Sequence, residues 1–354
     1  MTLHLFNPEN DLALGLGCRN YTPPPHAAAL HRAGALLPMW WAEEGDRILA
    51  TASLQPDADE LRGRFGINGE IGFTADVTKA SPWGWSADAV RQFENAGMPA
   101  SLLPGHESID IMRRLSHRRT SIEILSQLDG GYQLPVETSD PDEVIHLESM
   151  NPGCYVKSPW SCSGRGVFNA ISLDKATLYQ RAKGIINRQG SVMVERGLNK
   201  TLDFAVLFYS DGSRVTAKGL SIFLTEPRGM YTGNLVAPQS HLQEMLAASA
   251  DITQLEKIIN SEEKILTTLI APHYRGWMGI DMMLHTNNGR THIMPCVELN
   301  LRMTMGVAAM KVAQHLSITT PHIIAWDHNT PPAKGSIDLL PPHEGFALRL
   351  KPKT

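Results

Sequence analysis

One lysine, three oxygen-bearing side chains and a Ser/Gly loop are the residues of this chain best suited to chemistry. Lys157 closes the apolar stretch YVK and is followed by SPWSCSGRGVF. Proline has no N–H for a ladder, so strand pairing should end at Pro159, while Val167 and Phe168 restart a strand. Between them Ser161, Ser163, Gly164 and Gly166 make a small polar loop whose backbone N–H groups can face an anion. A cation ahead of such a loop suits the phosphate chain of a nucleotide, although a plain hairpin uses the same residues. Farther along, GWMGIDMMLH carries Asp281, and THIMPCVELN carries Glu298 and Asn300. The last two are spaced to share one face of a strand. Hard oxygen donors converging in this way suit Mg²⁺, with nucleotide phosphates completing its shell. Asp281 lies among Gly279, Ile280, Met282 and Met283, and Glu298 among Cys296, Val297 and Leu299. A carboxylate in apolar surroundings needs a partner, which a metal supplies; the alternative is a surface hairpin with ordinary polar residues.

Strands must carry these groups, and helices must cover the strands. LHLF (3–6) reads as a buried strand running into NPENDLAL, a polar turn that begins a helix near Asp11. Asn7, Asn10 and Asp11 fall where open α/β sheets place ligands, although turn and cap hydrogen bonds are the commoner use of such residues. Gly15 and Gly17 lack the third glycine of a dinucleotide fingerprint. Pro25 suits the first turn of a helix through HAAALHRAGAL. PMWWA and DRILATA read as strands, residues 86–98 as a helix, and Trp40, Trp41, Trp83 and Trp85 as packing residues. Alternating short strands and helices predict an α/β sandwich ending near residue 105.

Residues 108–128 read as two helices broken near Ser116. His117, Arg118 and Arg119 at the break form either a solvated face or a cation within reach of a phosphate. Beyond 135–153 (an extended start, a helix and a turn), a helix over 174–189 and a strand over 191–198 ending in Glu195 are expected. LDFAVLFYSDGSRVTAKGLSIFLTE reads as strands turning at Asp211-Gly212, with Asp203 at the start. MYTGNLVAP (230–238) reads as a loop whose Tyr231 and Asn234 either touch a ligand or make a turn. Residues 242–272 read as two helices with a core-facing apolar stripe. The Asp281 and Glu298 strands should pair across Asn287-Asn288-Gly289. RMTMGVAAMKVAQHL begins the last helix, and no pattern is legible in 326–354.

Composition sets the bounds. At 354 residues the chain is too long for one ordinary core, and 42% apolar residues suffice for several. A formal charge of −4 argues against a general nucleic-acid binder. Cys18, Cys154, Cys162 and Cys296 are scattered without a C-x-x-C pair, so neither a zinc site nor a disulfide framework is expected. A reducing cytoplasm fits, because no signal-peptide pattern opens the chain and no apolar run approaches the roughly 20 residues of a membrane helix. Gly-x-Ser-x-Gly, Walker A and His-Glu-x-x-His motifs are absent.

Taken in order, the lysine and glycine-rich loop, the strand ending in Glu195, the Asp281 strand and E-L-N-L-R resemble the ATP-grasp superfamily, as in D-alanine–D-alanine ligase, biotin carboxylase and carbamoyl-phosphate synthetase. The resemblance covers roughly residues 110 to 315. It implies an α/β (α+β) architecture of three parts: an N-terminal pre-ATP-grasp-like α/β domain (1–107), a central lobe (108–194) and a C-terminal lobe (195–354), with ATP held between the last two. It also implies roles. Lys157 would contact the phosphates, and Ser161, Ser163, Gly164, Arg165 and Gly166 would close over them. Met193, Val194 and Glu195 would meet adenine, and Asp203 the ribose. Asp281, Glu298 and Asn300 would hold Mg²⁺, or Mn²⁺ in its place. Arg302 resembles an arginine near the acyl phosphate, and Arg118 stands where many members have a phosphate-binding lysine. In D-alanine–D-alanine ligase an arginine lies two residues before the metal aspartate; that position is Gly279 here, so Arg302 or Arg275 would substitute.

The implied reaction is ATP-dependent ligation of a small carboxylate to an amine, or less often a thiol, through an acyl phosphate. An ATP-grasp kinase or phosphotransferase, or a binding module without catalysis, are the alternatives. Asn10, Tyr231, Asn234 and His241 are the candidate substrate contacts. No membrane or nucleic-acid partner is expected, and many such enzymes form homodimers.

Overall fold

The computed structural model describes residues 1–162, 166–226 and 229–353. Ser163, Gly164 and Arg165 of the expected phosphate loop lie outside them.

Among the described residues the strands form three sheets. The first joins β1 (Thr2–Leu5), β2 (Arg47–Ile48), β3 (Glu70–Ile71) and β4 (Lys79–Pro82) in the order β3-β2-β1-β4, all parallel. Its helices are α1 (Asn10–Leu16), α2 (Pro25–Ala33), α3 (Gln55–Phe65) and α4 (Ala87–Asn95). As its composition suggests, α2 starts on Pro25, and the Ser86 side chain caps α4 by accepting from Ala89 N–H. PMWWA is not a strand: Leu37–Trp40 is a 3₁₀ turn, every residue of it buried, packed against the large sheet and its last helix. A fully apolar run does not distinguish a buried turn from a buried strand.

Next come α5 (His106–Leu115) and α6 (Thr120–Gln127), broken at Ser116 as expected. The second sheet is antiparallel, in the order β5-β8-β6-β7, from β5 (Val136–Thr138), β6 (Tyr155–Lys157), β7 (Val167–Asn169) and β8 (Val192–Glu195). Helices α7 (Pro141–Met150) and α8 (Lys175–Gln189) cover it through a small core of Val144, Val156, Leu178, Ala182, Val192 and Val194.

The third sheet has eight strands in the order β13-β12-β9-β10-β11-β14-β16-β15. They are β9 (Asn199–Asp211), β10 (Val215–Thr225), β11 (Tyr231–Val236), β12 (Arg275–Asn287), β13 (Arg290–Asn300), β14 (His322–His328), β15 (Ile337–Asp338) and β16 (Phe346–Pro352). α9 (Gln239–Ala247), α10 (Ile252–Leu269) and α11 (Met305–His315) complete it. MYTGNLVAP therefore contains a strand, β11, held between β10 and β14. The unpatterned tail supplies β15 and β16.

Period-2 alternation sorts this sheet's side chains onto two faces. Phe204, Val206 and Phe208 of β9, Leu220 and Ile222 of β10, and Met278, Ile280, Met282 and Leu284 of β12 pack into one core with α5, α6 and α10. The intervening residues Asp203, Ala205, Ser221, Phe223, Asp281 and Met283 face the other way and line a cleft. Beyond the cleft the same face is covered by α11 and the Leu36–Trp40 segment.

Candidate active site

Cross-strand pairing builds the floor of the cleft in rows. Asp281 stands opposite Glu298 on one side and Ala205 on the other, and Ala205 pairs with Ser221. The neighbouring row runs Met294, Met283, Asp203, Phe223. Between these rows β13 has three residues where β12 has one, because the register shifts between Asp281 and Met283. Pro295 falls in that stretch, and β13 is an edge strand, so no ladder bond is lost there.

Lys157, at the end of β6, is 7% exposed and forms an ion pair with Glu195 at the end of the neighbouring β8. The chain then turns through Trp160, whose indole donates to Arg113 O (3.1 Å) and whose N–H donates to Gln189 Oε1 (3.0 Å). Ser158 N–H donates to Gly166 O (2.8 Å), closing the base of the loop. Gly166 has φ +79°, and a Cβ there would lie 2.6 Å from Ser158 Oγ, so glycine is required.

The solvated-face reading of His117 and Arg118 is overturned: both are buried, because the turn between α5 and α6 docks under β6. Arg118 donates through Nε to Ser158 O (3.0 Å) and through Nη2 to Ser161 Oγ (2.9 Å), and its Nη1 lies 2.9 Å from Glu298 Oε2. It therefore ties Ser158 and Ser161, at the base of the loop, to the carboxylate pair. His117 packs edge-on against Trp160, and burial followed by the Arg119 charge lowers its pKa to about 4, so it is neutral near pH 7.

Asp281 opens onto the cleft but is wrapped by protein beneath. Burial, then the Glu298 charge, push its pKa up to about 7 against the Asn300 hydrogen bond and the Arg302 charge. Arg302 donates to Asp11 Oδ2 (2.7 Å), Asn300 Oδ1 (2.9 Å) and Met303 O (3.1 Å). Burial disfavours its charge, but Asp11 outweighs that and holds it protonated. Arg275 is exposed and does not line the cleft, so of the two candidates Arg302 is the arginine at the site.

Among the described residues, no group of three or more His, Cys, Asp and Glu could hold a metal. The expected set is instead two facing carboxylates and an amide, all oxygen donors. Two carboxylates opposed across a strand pair repel, which adds to the effect of burial in raising the Asp281 pKa; a hard divalent cation fits that set.

The cleft measures about 380 Å³ and gathers Arg118, Lys157, Ser161, Glu195, Asp203, Asp281, Glu298, Asn300 and Arg302. Tyr231 and Asn234 line it too: the Tyr231 hydroxyl donates to Asn234 Oδ1, and Asn234 Nδ2 donates to Ser221 Oγ (2.7 Å). Five expected residues among those described are not in its lining, Gly166 of the loop being one. Asn10 is turned into the protein, filling the space that Gly84 leaves. His241 sits on α9, and Met193 and Val194 are buried in β8. Arg196 and Leu198, just after β8, line the cleft without any signal in the sequence to mark them. Trp83 packs as expected and is only 4% exposed, yet it also forms part of the cleft wall, together with Trp326.

No protein-family model matches the chain, and no curated protein does. Solved structures do. The N5-carboxyaminoimidazole ribonucleotide synthetase from Thermus thermophilus is 13% identical with a TM-score of 0.53, over 100% of this chain and 94% of that one. The biotin carboxylase domain of Hydrogenobacter thermophilus 2-oxoglutarate carboxylase, solved with MgADP and bicarbonate, is 10% identical with a TM-score of 0.55, over 99% and 85%. Biotin carboxylase from Campylobacter jejuni is 10% identical with a TM-score of 0.53, over 98% and 86%. At such identities the likeness is one of fold, and the fold is ATP-grasp.

Proposed function

We propose that this chain, built on the ATP-grasp fold, is an ATP- and Mg²⁺-dependent ligase that joins a small carboxylate to an amine. The observation that carries the reading is the meeting of Lys157 and Arg118 with Asp281, Glu298 and Asn300 in one cleft. In this reading residues 1–107, 108–194 and 195–354 act as three lobes. Lys157, Arg118 and the 161–166 loop take the triphosphate, Glu195 and the chain just after it meet the adenine, and Asp203 takes the ribose. Asp281, Glu298 and Asn300 would hold Mg²⁺, which would supply positive charge to the phosphates.

A carboxylate oxygen attacks the γ-phosphorus, and the bond to the β–γ bridging oxygen breaks, releasing ADP. The amine nitrogen then attacks the acyl carbon, inorganic phosphate leaves, and the amine gives up a proton. Protein groups supply position and positive charge rather than a nucleophile. Arg302 is fixed by Asp11, Asn300 and Met303 O, beside the metal ligands, where it stabilises the acyl phosphate.

The test is to incubate the chain with Mg²⁺, ATP and pools of carboxylates and amines and to follow ADP. Release that requires both a carboxylate and an amine supports a ligase. Release with a phosphorylated product and no amine would make it a kinase, and nucleotide binding without release with any acceptor would leave a binding module.

A further inference from the structure

The cleft has two apolar ends separated by a charged waist, and in the ligase reading ATP would fill only one of them. Strand β13 and its continuation cross the whole floor. Met294 lies at one end with Met283 opposite it, and Leu134 and Leu198 are near. Glu298 and Asn300 follow on the same strand, and then comes Arg302. Among the described residues, an uncharged group also lines the cleft: Phe6, Leu30, Trp83, Met305 and Trp326. Phe6 and Trp83 extend the parallel strands β1 and β4, meeting edge-on at 5.1 Å, and Trp326 closes on Phe6 at 6.3 Å. Met303 N–H donates to Trp83 O (2.7 Å), which fixes this aromatic wall to the metal-bearing hairpin.

The Met283/Met294 end adjoins Asp203 and Glu195 and is the end the nucleotide base would take. A nucleoside triphosphate has no second apolar group for the far end. Arg302 stands at its entrance with three of its five N–H donors engaged, each by one named acceptor. Among the described residues the other two meet no acceptor, which leaves them for an oxyanion.

We propose that the carboxylate substrate carries an aromatic or branched aliphatic side chain seated among Phe6, Leu30, Trp83, Met305 and Trp326, with its carboxylate at Arg302. This rests on the ligase reading and narrows it. Acids whose side chains are small or charged leave the aromatic end wet, or bring a charge to it, and should bind poorly.

The experiment is isothermal titration of the purified chain, saturated with Mg²⁺ and ADP, with L-leucine, L-phenylalanine and 3-phenylpropionate against glycine and L-aspartate. The apolar probes are expected to bind at least about tenfold more tightly, as burial of one such side chain implies. Leu30→Asp, on the half-buried face of α2, should remove that preference while Mg–ADP affinity stays unchanged. Glycine or aspartate binding as well as the apolar acids would overturn the proposal, as would a Leu30→Asp protein that keeps the preference. If Mg–ADP itself fails to bind, the ligase reading falls, and the same panel without nucleotide still decides whether the pocket takes apolar acids. Should Leu30→Asp lose both affinities, the variant is misfolded, and the preference of the wild-type protein across the five acids then decides the matter by itself.

Discussion

Asp281 and Glu298 face each other from paired strands, and each has a different remedy for its charge. Glu298 has Arg118 at 2.9 Å, whereas Asp281 is held up to about 7 by burial and by Glu298 itself. An acid whose folded pKa lies above its ordinary value costs nothing at low pH, where it is neutral folded or unfolded. The penalty grows as pH rises from the ordinary carboxylate value to the folded one, because over that range the unfolded chain ionises while the folded state keeps the proton, and it is complete above the folded value. The metal-free chain should therefore lose stability between about pH 4 and pH 7 through this group, and Mg²⁺ should restore it. With ADP present, Mg²⁺ is expected to raise Tm more at pH 8 than at pH 5.5. Asp281→Asn should flatten that difference and raise the metal-free Tm at pH 8 by about 1–3 °C, a shift kept small by solvent in the cleft. A larger Mg²⁺ effect at pH 5.5 would contradict the assignment. Glu298→Gln removes metal charge at nearly constant size, so turnover should fall about a hundredfold or more with the fold intact by circular dichroism. That Glu298 and Asn300 share one face of a strand was legible in the sequence, because their spacing of two shows it. The Arg118–Glu298 pair was not: the two are 180 positions apart, and only the docking of the α5–α6 turn under β6 brings them together.

At the scale of elements, β11 carries the clearest constraint. A Cβ on Gly233 would lie 2.8 Å from the carbonyl oxygen of Ile324 on β14, a backbone atom that cannot swing away. Gly233→Ala should push β11 and β14 apart and cost about 1–3 kcal/mol, seen as a lower Tm with normal Mg–ADP affinity in the surviving folded protein. A Tm equal to wild type would show that β14 shifts freely. The same glycine explains why this stretch reads as a loop: Tyr, Thr, Gly and Asn in succession form a turn signature, yet Gly233 is there for close strand packing. Elements with periodic patterns were legible, among them α8, α10 and the β12–β13 hairpin with its positive-φ Asn288 and Gly289. The Leu36–Trp40 segment and the tail strands were not, because their burial is decided by the N-terminal layer packing against α11 and β16, a contact between ends of the chain.

At the scale of the molecule, the N-terminal sheet is coupled to the large one beside the site. Arg302 follows β13 and its guanidinium reaches Asp11 on α1, while Met303 N–H reaches Trp83 O at the end of β4. Both ion-pair partners are largely buried, with side chains 13% and 14% exposed. Removing one charge from such a pair strands the other, so Asp11→Asn should destabilise the chain by about 3 kcal/mol or somewhat less, read as a lower Tm. Asp11 does not line the cleft, and Arg302 keeps Asn300 and Met303 O as partners, so Mg–ADP affinity should change less than about twofold. Because a ligand at a hundred times its Kd adds about 2.7 kcal/mol to stability, saturating Mg–ADP should bring the Asp11→Asn protein back close to the Tm of the unliganded wild type. A Tm unchanged by Asp11→Asn would mean that Met303 and the packing of Trp83 alone hold the two sheets together. A tenfold loss of nucleotide affinity would mean instead that the N-terminal sheet sets the geometry of the metal ligands through Arg302, and the aromatic end of the cleft would then be coupled to the triphosphate end through one guanidinium.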